Sequence, residues 1–152
     1  MQQLTKKEIL IPGESPQKPI TADLTFIDNG SLKPLVILVH GFKGFKDWGP
    51  WPLLAEKFAV EGFCLCKLNF SFNGVRPENL RELTDPEAFG YNNFSKELED
   101  LNRLLDYLTD HQEKFQIEMN QIFQVGHSRG GGISIIKVAE DSRIKKLSTW
   151  AS

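Results

Sequence analysis

Late in the chain stands Gly126-His127-Ser128-Arg129-Gly130, a serine with a glycine two places to either side. Bare, this pattern is weak: ordinary glycine and serine usage produces it by chance in about one chain in twenty of this length. Its setting is more informative. Residues 123–125, Phe-Gln-Val, read as a strand, and Gly130-Gly131-Gly132-Ile133 opens a helix. A serine on so tight a strand-to-helix turn is suited to nucleophilic attack on an acyl carbon. The turn holds Ser128 at a strained backbone angle and lifts its hydroxyl above the carboxyl end of the sheet. A side chain at Gly126 or Gly130 would strike the neighbouring strand and helix, and Gly131 and Gly132 are expected to let the helix start pack closely. The helix aims its first N–H groups at developing negative charge, so the Arg129 N–H is an expected oxyanion donor.

The elements that must position this serine follow from hydrophobic patterning. Residues 7–11 read as a strand ended by Pro12-Gly13, and residues 20–27 as a half-buried strand ended by Asp28-Asn29-Gly30. These two are expected to pair as an antiparallel hairpin at a sheet edge. Residues 34–39 are continuously apolar, the pattern of a strand buried on both faces. Pro50-Trp51-Pro52 opens a helix carrying Leu53, Leu54, Phe58 and Ala59, with Gly62 as its C-cap. Residues 63–70 form the next strand, and residues 71–91 a Gly-, Pro- and Asn-rich loop. Asn92-Asn93 caps a helix reaching to about Lys114, with an apolar stripe of Phe94, Leu98, Leu101, Leu104, Leu105 and Leu108. Residues 121–125 make a strand, 133–140 a helix and 147–152 the start of another strand. The order ββ, then β-α-β-α-β-α-β, predicts a single α/β domain over residues 1–152 with a mostly parallel sheet flanked by helices. No G-x-G-x-x-G follows the first buried strand, which sets a dinucleotide fold aside.

The first buried strand runs into His40-Gly41-Phe42-Lys43-Gly44. Together with Gly126-His127-Ser128-Arg129-Gly130 and the element order between them, this loop resembles the α/β-hydrolase superfamily, whose strand–elbow–helix setting the serine also matches. Residues 45–73, with Trp48-Gly49, Trp51 and Asn69-Phe70-Ser71, look like bacterial members of the esterase and acyl-peptidase-like branch. The resemblance implies that Ser128 is the nucleophile and that the Phe42 N–H joins the Arg129 N–H in an oxyanion hole. It implies a structural role for His40, which supports the loop by hydrogen bonding, with Gly41, Gly126, His127 and Gly130 completing the motif. The implied activity is hydrolysis of a small-molecule ester, thioester or amide through an acyl-enzyme. An adjacent residue on the elbow points away from the serine hydroxyl, so His127 is expected to pack rather than act as the base. His111 reads as a solvated helix-end histidine, and Arg129 either as a partner for a substrate carboxylate or as surface.

In that family the acid and the histidine follow the nucleophile in the chain. Residues 131–152 contain no histidine, and Glu140 and Asp141 stand too close to the serine to be the family acid. The chain is therefore expected to carry the N-terminal half of the fold, ending after the strand that follows the elbow helix, without lid or last strands. Alone it should be nearly inactive. The alternative is a non-catalytic assembly module, complemented by another chain or self-associating through an open sheet edge, or a remnant that folds poorly.

The remaining composition excludes other classes. A formal net charge of -2 favours neither nucleic acid nor an anionic membrane. Residues 1–8 hold no apolar core of a secretory signal, and the longest purely aliphatic run, residues 35–39, is too short to span a bilayer, so a cytoplasmic location is expected. Cys64 and Cys66 lie on one face of a strand and read as reduced core thiols. The three histidines stand apart from any cluster of metal-ligand spacing, so no metal and no organic cofactor is expected.

Overall fold

The structure is a computed structural model and describes residues 3–152. Its elements are β1 (Gln3–Ile11), β2 (Ile20–Asp28), β3 (Lys33–Val39), α1 (Trp51–Val60), β4 (Cys64–Asn69), β5 (Val75–Arg76), β6 (Asn79–Leu83), α2 (Pro86–Tyr91), α3 (Phe94–Asp110), β7 (Ile117–His127), α4 (Arg129–Glu140) and β8 (Ile144–Trp150). Six strands form one sheet in the order β1-β2-β4-β3-β7-β8. β1–β2 and β2–β4 pair antiparallel, as expected for an edge hairpin, and β4–β3, β3–β7 and β7–β8 pair parallel.

The alternation of β3 side chains sorts the two layers. Leu35, Ile37 and Val39 face the larger core with the α3 leucines, Phe115 and Ile133. Val36 and Leu38 face the other side, against Trp51 and Ala55 of α1, with Leu65 and Val125 beside them. A strand buried on both faces needs this unbroken apolar run. The stripe of α3 places Leu101, Leu104, Leu105 and Leu108 fully inside, and the Asn93 side chain caps the helix by accepting from the Lys96 N–H at 2.9 Å. α3 and α4 cover one face, while α1 stands on the other.

Three expectations need correction. The 71–91 segment is not a bare loop, because it folds into the β5–β6 hairpin and α2. α3 ends at Asp110 rather than near Lys114, closed by His111, whose N–H bonds to the Tyr107 carbonyl. α4 begins at Arg129, directly after the serine, not at Ile133. Glycines at 130–132 lower helix propensity, but here the turn itself starts the helix. Cys64 and Cys66 are buried free thiols, and burial pushes Cys64 up to about 12 and Cys66 well above its ordinary value. Among the described residues no helix is long and apolar enough to cross a membrane.

Candidate active site

The chain leaves β3 for β4 on one side and reaches β7 on the other, so the sheet's topological switch point lies between β3 and β7. The crevice outside the carboxyl ends of such strands is where α/β folds bind ligands. Residues 40–44 leave β3 there, and Ser128 leaves β7 beside them. Ser128 has φ 53° and ψ -124°, a left-handed backbone that a residue with a Cβ rarely adopts. Two bonds brace it. Its N–H donates to the Trp150 carbonyl at 2.9 Å, and its own carbonyl accepts from the Gly131 N–H at 2.8 Å.

The glycines have distinct reasons. A Cβ on Gly126 would meet the Gly130 carbonyl, the Gly131 backbone and the Ser134 hydroxyl. One on Gly130 would strike the Val39 and His40 carbonyls of β3 and its loop. One on Gly41 would come within 2.9 Å of the Ser128 Cβ and 3.4 Å of its Oγ, so the loop after β3 lies directly against the serine. Gly132 has open space around it, and close packing does not account for that glycine.

His40 is buried and packs edge-on against Phe70 at 5.1 Å. Its Nδ1 stands 2.9 Å from the Gly41 carbonyl, and burial lowers its pKa to about 4 against that bond, so it is neutral and donates there near neutral pH. Its support is thus local, stiffening the turn that carries Phe42. His127 is half-buried, stacks 6.4 Å from Trp48 and meets Trp51 at 5.4 Å. His111 is 4.1 Å from the Tyr107 ring at the far end of α3 and bonds to the Tyr107 carbonyl, so it is stacked rather than simply solvated. None of the three imidazoles bonds to the Ser128 hydroxyl. The Arg129 guanidinium faces α3, with Nε 3.2 Å from the buried Glu97 and its plane 4.4 Å over Phe94. That engagement fits neither a free surface arginine nor a waiting carboxylate partner. Among the described residues the main-chain N–H groups of Phe42 and Arg129 donate to no loop carbonyl.

The loop after β3 is also held by a buried charge quartet that sequence reading missed. Lys46 Nζ lies 2.7 Å from Asp23 and 2.5 Å from Asp47, and Lys67 Nζ lies 2.7 Å from Asp47 and 3.4 Å from Asp23. Burial works against ionising Asp47, but Lys46 and Lys67 together bring it down to about 2. Burial likewise opposes the charge on Lys46, yet Asp23 and Asp47 raise its pKa. Asn69 Oδ1 accepts the Lys46 N–H at 2.7 Å, and the Asn73 amide donates to the Gly44 carbonyl at 3.4 Å. One step further back, Asp100 of α3 accepts the Ser71 N–H at 2.7 Å and its hydroxyl at 3.0 Å. Burial raises Asp100 to about 6 in spite of those bonds.

A cleft of about 290 Å³ opens on Ser128, lined by Phe42, Lys43, Trp48, Trp51 and His127 among others. A serine in a cleft walled largely by aromatic side chains has the chemistry for attack on a carbonyl carbon. Among the described residues, no group of three or more His, Cys, Asp or Glu is arranged to hold a metal ion.

The fold is that of the α/β-hydrolases. A cold-adapted esterase from an Arctic intertidal metagenomic library superposes with a TM-score of 0.74 at 16% identity, over 96% of this chain and 60% of that one. Dienelactone hydrolase from Anabaena variabilis gives 0.73 at 16% identity, over 97% and 63%. An α/β-hydrolase from a Medee basin deep-sea metagenome gives 0.69 at 18% identity, over 98% and 57%. The chain thus spans about three fifths of the length of these structures. No protein-family model and no curated protein matches the sequence.

Proposed function

We propose that this chain carries the nucleophile and oxyanion half of a serine hydrolase that cleaves an ester, thioester or amide through an acyl-enzyme on Ser128. The observation that carries the reading is the left-handed Ser128 backbone between β7 and α4, with Gly41 pressed against it. In this scheme Ser128 Oγ attacks the carbonyl carbon, and the Phe42 and Arg129 N–H groups hold the oxyanion. The alcohol, thiol or amine then leaves with a proton, and water releases the acid. A serine hydroxyl needs a general base for this. None of the chain's histidines is bonded to Ser128: His40 is neutral and bonded to Gly41, His111 is bonded to Tyr107, and His127 packs against Trp48 and Trp51.

The expected turnover of p-nitrophenyl acetate by the 152-residue chain is therefore close to buffer background, since loss of the base lowers turnover on the order of a million-fold. Robust turnover that disappears in Ser128→Ala would contradict the missing base while supporting the nucleophile. Fluorophosphonate labelling with imidazole added as an external base reads the nucleophile itself.

A second reading is favoured by the edge of β8, which among the described residues pairs with β7 alone. A segment or separate chain bearing the acid and the histidine would add along that edge and complete the site. Co-expression with such a segment should restore ester turnover, and no gain on stable co-purification would count against it.

A further inference from the structure

Of the three tryptophans, Trp48 and Trp51 line this cleft, and Trp150 packs behind Trp51. Trp48 and Trp51 rings are 6.1 Å apart at 50°, and Trp51 and Trp150 are 6.3 Å apart at 37°. Trp51 is buried in the core under α1, which explains most of its packing, and its remaining surface lines the cleft. Trp48 is not explained that way: it stays 49% exposed, and Phe42 across the mouth stays 61% exposed. A single exposed ring means little. Here two large exposed rings, Trp48 and Phe42, line one cleft with Ser128, and Phe42 also tilts against Phe89 at 5.3 Å. Faces and edges of aromatic rings favour another ring beyond what burial alone gives. The cleft, about 290 Å³, lies at the low end for ligand sites, room for a ring or two rather than an extended chain. Among the described residues its lining includes one cation, Lys43, and no carboxylate, which disfavours a cationic substrate.

We propose that the cleft beside Ser128 is an aryl subsite, with Trp48 and Trp51 as the specificity-determining residues, so that the substrate class is a neutral or anionic ester or amide with an aromatic ring next to the scissile bond. The proposal rests on the serine-hydrolase reading for the word substrate, but the subsite itself is read without any hydrolysis. Acetophenone and 2-octanone have equal carbon counts, carry a carbonyl in place of the ester and cannot be hydrolysed. In a proton–nitrogen correlation spectrum of the labelled 152-residue chain, the Trp48 and Trp51 indole N–H signals report on this cleft, and that of Trp150, bonded to the Ser148 hydroxyl, serves as the comparison. Acetophenone is expected to shift the Trp48 and Trp51 signals saturably and to bind at least fivefold more tightly than 2-octanone, although the alkyl ketone is the more hydrophobic. Trp48→Leu should abolish that preference and Trp48→Phe should keep most of it. Equal or weaker binding of acetophenone, or shifts that spare Trp48 and Trp51, would overturn the aryl subsite even if Ser128 proves reactive. An unreactive Ser128 with the ketone preference intact would sink the hydrolase reading and leave the subsite standing.

Discussion

Ser128 holds a conformation that costs on the order of 1–3 kcal/mol, and two main-chain bonds and the surrounding glycines keep it there. Ser128→Gly should release part of that strain and raise the unfolding free energy by about 1 kcal/mol in urea denaturation. Gly130→Ala should do the reverse, by roughly 1–3 kcal/mol or more, because its new methyl meets the β3 carbonyls rather than a side chain that can turn away. His40 and Asp100 make an opposed pair in pH. His40 is held at about 4, below its unfolded value, so its neutral burial loses stability as pH falls from about 6.5 toward 4. Asp100 is held at about 6, above its unfolded value, so the folded state binds the extra proton and stability falls as pH rises from about 4 toward 6. The two slopes largely cancel in the native chain. Asp100→Asn keeps an acceptor for the Ser71 N–H and removes one slope. Its stability should rise between pH 4 and 6.5 relative to the native chain, by on the order of 2–3 kcal/mol, in parallel urea titrations. A pH-independent difference between the two proteins would contradict the assignment.

The elements show why some of the site was legible and some was not. The continuous apolar run of β3, the leucine stripe of α3 and the glycines around Ser128 each encode their environment locally, and a reader of the chain meets them within one turn or strand. The charge quartet does not work that way. Asp23, Lys46, Asp47 and Lys67 come from β2, the loop after β3 and β4, and in sequence each reads as a surface residue. Only the β2–β4–β3 strand order brings them together. The 71–91 segment misled for a related reason. Its α2 has six residues, too short to show a helical period, and depends on the Asp85 cap and on ion pairs from Lys18 and Arg76 to Asp85. The quartet gives an element-scale prediction. Lys46→Met leaves Asp23 and Asp47 buried beside fewer cations and should lower stability by about 3–5 kcal/mol in denaturant titration. A loss within 0.5 kcal/mol would mean that the quartet does not fasten the loop carrying Phe42.

At the scale of the molecule the sheet is deepest at β3 and β7 and thinnest at its edges, β1 and β8. Both outer strands are largely exposed, and β8 carries Lys145 and Lys146 on its surface, a pattern that discourages pairing with a like strand. Hydrogen exchange should find the slowest amides in β3 and β7, and faster exchange in β8, with protection in the central strands showing that the chain folds on its own. Uniformly fast exchange would mark a remnant without a stable core. Fold and chemistry meet in one place, the crevice between those two central strands, and the account stands or falls on the serine there. The most direct test is incubation of the chain and of Ser128→Ala with a fluorophosphonate, followed by peptide mass spectrometry. Oγ bonds to phosphorus, fluoride leaves and the proton passes to a general base, which imidazole added to the buffer supplies in place of a protein histidine. A single slow adduct on Ser128, absent from Ser128→Ala, is the predicted result; an unmodified chain, or adducts spread over other serines with Ser128 spared, would contradict it.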